Sequence, residues 1–439
     1  MIKQKYQQRR KILLAKMAIN SMAIIFSAPE VAYNINYNSP YHQDSNFYYL
    51  TGFVEPEAVL VLVKKSKINT KCILFNRKHN SIAKIWSGQR LGQIAAPKKL
   101  GIDRALPFDK INEQLYLLLN EINIIYHAQD QYVYADHILS TVLKRLHLDL
   151  SKDLHVPITL IDWRPWLYEM RLFKSSEEIT LIRRACEISA HAHTRAIKMC
   201  RPGLFEYQLE GEIHHEFIQH GARHSAYPTI VGSGNNSCIL HYTENKSKLR
   251  DGDLVLIDAG CKYQGYAADI TRTFPVNGKF SPPQRTIYNI VLALINKALQ
   301  LLKPGISIYD VHQEVIKFMI NQLLNLGILQ GNVEELLVKQ AYQSFFMHNL
   351  SHWLGIDVHD MGNCFHPEKN QILEVGMVLA VEPGLYIAPN AQVPVKYRGI
   401  GIRIEDNILI TENGNENLTA SVVKEIDAIE ALMAVQINR

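Results

Sequence analysis

The chain has 439 residues, 47% of them hydrophobic and 20% charged, with a formal charge of +5 at pH 7. These are the proportions of an ordinary soluble globular protein, and so small a charge gives no reason to expect nucleic acid as a partner. The length predicts two domains, and no apolar run approaches the roughly 18–20 residues that would span a bilayer.

Lys3, Lys5, Arg9, Arg10 and Lys11 crowd the start in the manner of a signal peptide. Lys16 and Asn20 interrupt the apolar stretch that follows, and no A-x-A-like site comes cleanly after it. The six cysteines, Cys72, Cys186, Cys200, Cys238, Cys261 and Cys364, are scattered without a C-x-x-C pair. That pattern fits reduced thiols, and a cytoplasmic protein is the simplest expectation.

Up to about residue 172 short apolar runs alternate with helical patterns. AVLVLVKK (58–65), KCILFN (71–76) and NIIYHA (123–128) read as strands; KINEQLYLLLN (110–120) and ADHILSTVLKRL (135–146) read as helices. This predicts an α/β domain over 1–172 with no evident catalytic constellation. Trp86 sits in IWSGQRLG, a glycine-bearing loop signal, and reads first as a surface or packing tryptophan and second as a binding aromatic.

Beyond it, Ser175 followed by Glu178 is a capping box that opens a long helix, stopped by Pro202-Gly203. A second helix from Glu206 ends at Gly221. The pattern then recurs as helix, Lys303-Pro304-Gly305, helix, Gly327. GDLVLIDAG (252–260) aligns without gaps on GMVLAVEPG (376–384), glycine on glycine and Asp258 on Glu382. A domain over 173–439 built from two facing copies of a helix–helix–strand unit is expected, with strand-end carboxylates converging on one centre.

The segment 251–274 reads as a hairpin. A turn centred on Tyr263-Gln264 would set Asp258 directly opposite Asp269, where two like charges need a shared proton or a cation between them. The segment alone leaves a solvated hairpin with two unrelated aspartates equally open. Pro383 should stop the later strand and leave Glu382 at its end. In GIGIRIEDNILI (399–410), Gly401, Arg403 and Glu405 share one face, a strand floor that something approaches closely. His348 and His352 have zincin spacing, but Asn349 stands where H-E-x-x-H needs glutamate and Gly355 argues against a sustained helix. Asp258, Asp269, Glu382, Glu405 and one histidine make an oxygen-rich set suited to Mn²⁺, Mg²⁺ or Fe²⁺. Carboxylates can bridge, so such a set can hold two ions that lower a bridging water's pKa and yield hydroxide for hydrolysis.

HYTEN (241–245), LVLIDAG (254–260), ADITRTFPVNGKF (268–280), SHWLGIDVHD (351–360), VEPGLYI (381–387) and GIGIRIED (399–406) together resemble the bacterial aminopeptidase P, or Xaa-Pro aminopeptidase, family. That family shares the pita-bread fold with prolidase and methionine aminopeptidase. The resemblance spans essentially the whole chain, including IFSAPEV, FYYLTGF and WSGQRLG near the start. It implies Asp258, Asp269, His352, Glu382 and Glu405 as ligands of two metal ions, usually manganese, with Asp269 and Glu405 bridging. It also implies Glu382 as proton acceptor, His241 and His359 as substrate-side histidines, and His348, Tyr386 and Arg403 as orienting or pocket residues. The implied reaction releases the N-terminal residue of a peptide whose second residue is proline. Relatives are often tetramers in which the position of Trp86 approaches a neighbour's site, so a homo-oligomer, tetramer or dimer, is implied. One departure is HLDLSKDLH (147–155), which lacks an obvious basic substrate-contacting residue.

Three rivals remain on the same fold. A creatinase-like hydrolase is disfavoured by the intact ligand set, as is a metal-free pita-bread protein that binds peptides or ribosomes. A prolidase keeps the ligands and differs by acting on Xaa-Pro dipeptides.

Overall fold

The computed structural model describes residues 2–34, 39–149, 156–157, 159–362 and 371–434. The chain divides into two compact units, Met1–Met170 and Arg171–Arg439.

The first unit is built on a six-stranded mixed sheet ordered Arg104–Pro107, Thr70–Asn76, Val59–Lys64, Ser21–Phe26, Ile124–His127, Thr159–Ile161. The three strands expected from apolar runs are present. The innermost pair is completed by SMAIIF (21–26), an apolar stretch whose six residues are all buried and therefore show no alternation. Helices Ile111–Leu119 and Val133–Leu148 bury Leu115, Leu119, Leu139, Val142 and Leu146 in one cluster with Ile24, Val61 and Ile125.

The basic cluster at the start belongs to a helix, Ile2–Lys16. Arg10 is buried and donates to the carbonyls of Leu50 (2.7 Å), Leu100 (2.9 Å) and Gly101 (2.7 Å). Those carbonyls lie at the ends of helices Ser45–Thr51 and Gly92–Leu100, where a cation meets the negative end of the dipole. Trp86 lies in a short helix, Ser81–Ser87, and not in the expected loop. The Ile82 amide donates to Asn80 Oδ1, which starts a turn that Gly88, at φ +83°, ends. Trp86 is 85% exposed.

In the second unit Ser175 and Glu178 form the expected capping box at the head of helix Ser176–Met199, and Glu206–Gln219 follows. The duplication extends to single hydrogen bonds. The Gly203 amide donates to Leu249 O and the Leu249 amide to Leu204 O; in the second copy Gly305 donates to Leu373 O and Leu373 to Ile306 O. Helices Pro282–Leu301 and Ile308–Asn325 repeat the helix pair. Strand Leu254–Asp258 lies between Ile230–Ser233 and Thr271–Pro275, as Val378–Val381 lies between Ser351–Trp353 and Asp406–Thr411. All these neighbours are antiparallel.

The 251–274 hairpin turns one residue later than expected. Tyr263 pairs with Tyr266, and the turn is Gln264-Gly265, both at positive φ (47° and 92°) as a two-residue hairpin turn of right-handed twist requires. Asp258 therefore faces Thr271, and Asp269 stands diagonally two residues along. A register change of two preserves the face, so the aspartates still share one side. What approaches Gly401 is backbone: a Cβ there would lie 2.2 Å from the Ser237 carbonyl oxygen.

Among the described residues no helix is long and apolar enough to cross a membrane. Cys72, Cys186, Cys200, Cys238 and Cys261 are free thiols, and Cys364 lies outside the described residues.

Candidate metal centre

Asp258 ends its strand and Asp269 sits just before Thr271–Pro275. His352 is the middle residue of Ser351–Trp353, not a helical residue. Glu382 follows Val378–Val381, its amide bonded to Leu350 O at 2.8 Å, and Pro383 ends the ladder. Glu405 lies in the break between Ile400–Arg403 and Asp406–Thr411. These five residues, with His241, His348, His359 and Arg403, line one cavity of about 490 Å³. One ligand atom each from Asp269, His352 and Glu405 falls within 4.8 Å of the others. His352 Nε2 stands 3.3 Å from Asp269 Oδ2, 3.7 Å from Glu382 Oε1 and 3.9 Å from Glu405 Oε1.

Tyr386 sits behind this wall. Its hydroxyl is 2.9 Å from His348 Nε2 and receives a 3.0 Å bond from Arg403 Nη1. The His359 ring lies 4.2 Å from that of His352, centroid to centroid. Next to it, Asp360 is ion-paired with Arg171 and lies 3.4 Å from Lys174, which anchors the loop carrying His359. Trp86 belongs to the other unit. Most of the 147–155 segment lies outside the described residues.

Sequence reasoning missed several supports. The Tyr227 hydroxyl lies 2.6 Å from Asp258 Oδ1 and 2.5 Å from Asp269 Oδ1. Thr271 donates to Glu405 Oε2 at 2.7 Å and accepts from Arg403 Nε at 3.0 Å. Asn407 clamps the Asp269 backbone through its amide group, and buried Arg272 donates to the Glu405 carbonyl (2.6 Å). Thr271 and Asn407 stand inside the quoted ADITRTFPVNGKF and next to GIGIRIED, where the alternation signals them. Tyr227, before Pro228, carries no local signal, because its role depends on two strands remote from it in sequence.

The electrostatics are those of a site short of positive charge. Among the described residues lining the cavity, the one ammonium or guanidinium group is Arg403, which donates to Asp258 Oδ2 at 2.5 Å. Burial, then Asp258, raises the Asp269 carboxyl well above the usual range; burial, then Glu405, does the same to Glu382; burial, then Asp269, does it to Glu405. Burial pushes the His348 imidazole down to about 4, and His359 likewise to about 4 with His352 adding. A phenol carries one hydrogen, yet Tyr227 touches two carboxylates; the second contact needs a shared proton or a cation. Four clustered carboxylates, one imidazole and a missing complement of positive charge fit divalent cations with oxygen preference.

This fold and donor set define a hydrolytic metalloenzyme. Residues 180–412 match the model of metallopeptidase family M24, and residues 6–126 match the aminopeptidase P N-terminal domain. The chain belongs to metallopeptidase family M24, in the branch that carries the aminopeptidase P N-terminal domain, and is a metalloaminopeptidase with the two-domain, pita-bread architecture. It is 60% identical to the Xaa-Pro aminopeptidase of Escherichia coli strain K12, over 98% of each chain. The structure of proline aminopeptidase P II from Yersinia pestis superposes with a TM-score of 0.98 at 64% identity, covering 99% of this chain and 100% of that one. Zinc-substituted E. coli aminopeptidase P in complex with product gives 0.97 at 59%, covering 100% and 99%.

Proposed function

We propose that the chain is an Xaa-Pro aminopeptidase that removes the N-terminal residue from peptides with proline in second position, at a dinuclear metal centre. The observation that carries the metal reading is Tyr227, whose single hydroxyl hydrogen faces both Asp258 and Asp269 in a cavity where two further carboxyls, Glu382 and Glu405, are also short of positive charge. The substrate reading rests on the relatives' shared designation. We take 1–172 as the aminopeptidase P-type domain and 173–439 as the catalytic domain.

Asp258, Asp269, His352, Glu382 and Glu405 would hold the two ions, Mn²⁺ in our reading, with Asp269 and Glu405 shared between them. When bound, the pair supplies Lewis-acid polarisation and a lowered water pKa. Glu382 accepts the proton of the attacking water. Its oxygens stand 3.7 Å from His348 and from His352, outside hydrogen-bond reach, and burial with Glu405 raises its proton affinity. His359, held neutral at pH 7 by burial, donates to the oxygen that gains charge as the peptide carbonyl is attacked. His241 lines the same cavity and positions the peptide. The His348–Tyr386–Arg403 chain fixes Arg403 against Asp258. Proline in second position supplies a nitrogen without N–H and a fixed φ, which general aminopeptidases handle poorly.

A cytoplasmic location is supported by the free thiols, and self-association into a tetramer or dimer by exposed Ile82, Ile85 and Trp86 on one short helix. The deciding experiment compares cleavage of Xaa-Pro-Yaa, Xaa-Pro and Xaa-Ala-Yaa with added Mn²⁺. Preference for the first supports the proposal; preference for the dipeptide makes the enzyme a prolidase; equal cleavage of the third refutes proline selectivity.

A further inference from the structure

We propose a second metal site, remote from the catalytic cavity, in which His191, Glu216 and His220 bind one divalent transition ion of the Zn²⁺ class. His191 lies midway along helix Ser176–Met199; Glu216 lies in the last turn of Glu206–Gln219, and His220 caps that helix. The two helices pack together, and one ligand atom from each residue falls within 4.8 Å of the other two. His220 Nε2 is 2.9 Å from Glu216 Oε1, and the His191 and His220 rings are 5.5 Å apart. None of the three lines the catalytic cavity.

Zinc bound by three protein ligands at about 2.0–2.2 Å draws their donor atoms closer than they stand here, a change that rotation of these partly exposed side chains supplies. The environment favours the ion. The last carbonyls of Glu206–Gln219 present the negative end of a helix dipole. Glu187, one turn before His191, is kept ionised chiefly by its hydrogen bond to Arg184, and both imidazoles act on it electrostatically. Arg195, the opposing cation, is tied to Glu212 at 2.6 Å and reaches only the other Glu216 oxygen, at 3.7 Å. Two imidazoles and one carboxylate select Zn²⁺, Ni²⁺ or Cu²⁺ over Mn²⁺ and Mg²⁺, whereas the four-carboxylate centre selects the harder ions. One chain thus separates two metals by ligand softness. The ion staples the end of helix Glu206–Gln219 to the interior of the preceding helix, Ser176–Met199, and a fourth coordination position stays open to water.

The test compares the whole enzyme with His191→Ala/His220→Ala, both saturated with ZnCl₂ and dialysed, and counts zinc per chain by elemental analysis. The double variant is expected to hold one Zn²⁺ fewer per chain, and zinc is expected to raise its melting temperature less than that of the parent. In EDTA the two should melt together. Glu216→Gln, which keeps the side-chain shape, is expected to weaken the extra zinc about 10-fold or more. If the double variant melts early in EDTA, Glu216→Gln decides alone. Equal zinc stoichiometry in parent and double variant, or an unchanged zinc affinity in Glu216→Gln, overturns the site and leaves a metal-free Glu216–His220 contact.

Discussion

Arg403 donates to Asp258 at 2.5 Å from the opposite copy of the duplicated domain, so one charge pair joins strand Leu254–Asp258 to strand Ile400–Arg403. Both side chains are largely buried, and two further bonds, to Tyr386 and Thr271, hold the guanidinium in place. Arg403→Met removes the one ammonium or guanidinium group among the described residues lining the cavity and leaves Asp258 without its ion-pair partner, which costs about 3–5 kcal/mol. The loss should be larger in EDTA than with Mn²⁺ present, because added cations replace part of the missing charge. Urea unfolding with and without metal measures the difference, and equal losses in the two conditions would refute a charge-balancing role.

Tyr227→Phe deletes a single oxygen that touches both Asp258 and Asp269. Metal affinity should fall about 10- to 100-fold, the usual effect of losing a group that orients ligands. Competition against a chromophoric chelator reads it directly. Wild-type affinity would mean that the strands alone set the two carboxylates.

Asp269→Asn and Glu405→Gln should each abolish turnover and metal loading together, whereas His359→Ala should keep its metal and lose rate. Chelation should inactivate the parent enzyme and Mn²⁺ restore it. Elemental analysis beside a peptide-cleavage assay separates these outcomes, and full activity in either carboxylate variant would end the bridging assignment.

Gly260 lies between the two aspartates, and a Cβ there would sit 1.8 Å from the Ala268 carbonyl oxygen. The obstacle is backbone, so the hairpin must open. Gly260→Ala should cost about 1–3 kcal/mol or more and weaken metal binding by parting Asp258 from Asp269. Thermal unfolding together with metal titration checks both halves of this expectation.

Burial holds His193 and His312 down to about 4. His193 uses Nε2 to reach the Ala259 carbonyl (2.9 Å), and His312 Nδ1 accepts from the Leu350 amide (3.3 Å). Both folded-state values lie below the unfolded value of about 6.5, so the unfolded chain binds more protons between these limits. Their stabilising contribution is complete above about pH 6.5 and is lost as pH falls toward 4, roughly 3 kcal/mol for each. In the metal-free protein the raised Asp269, Glu382 and Glu405 carboxyls act in the opposite sense, so the readout is the difference in urea-unfolding stability between the parent and His312→Gln, which should shrink as pH falls through this window. A pH-independent difference would exclude the effect.

Local patterns carried much of this molecule. Alternation and apolar runs located Val59–Lys64, Thr70–Asn76 and Leu254–Asp258, the Ser175–Glu178 box opened its helix, and the repeat aligned Asp258 with Glu382. Each is a short-range property, set by side-chain period and by what caps or stops a segment. Tertiary structure decided what no period records. Two positive-φ residues placed the turn at Gln264-Gly265 and turned a face-to-face aspartate pair into a diagonal one. Arg10 became a cap for two helices, Trp86 entered a helix, and Tyr227 was brought between two strands far along the chain. Such contacts arise only when separate elements pack, because a buried polar atom must then find a partner wherever the fold supplies one.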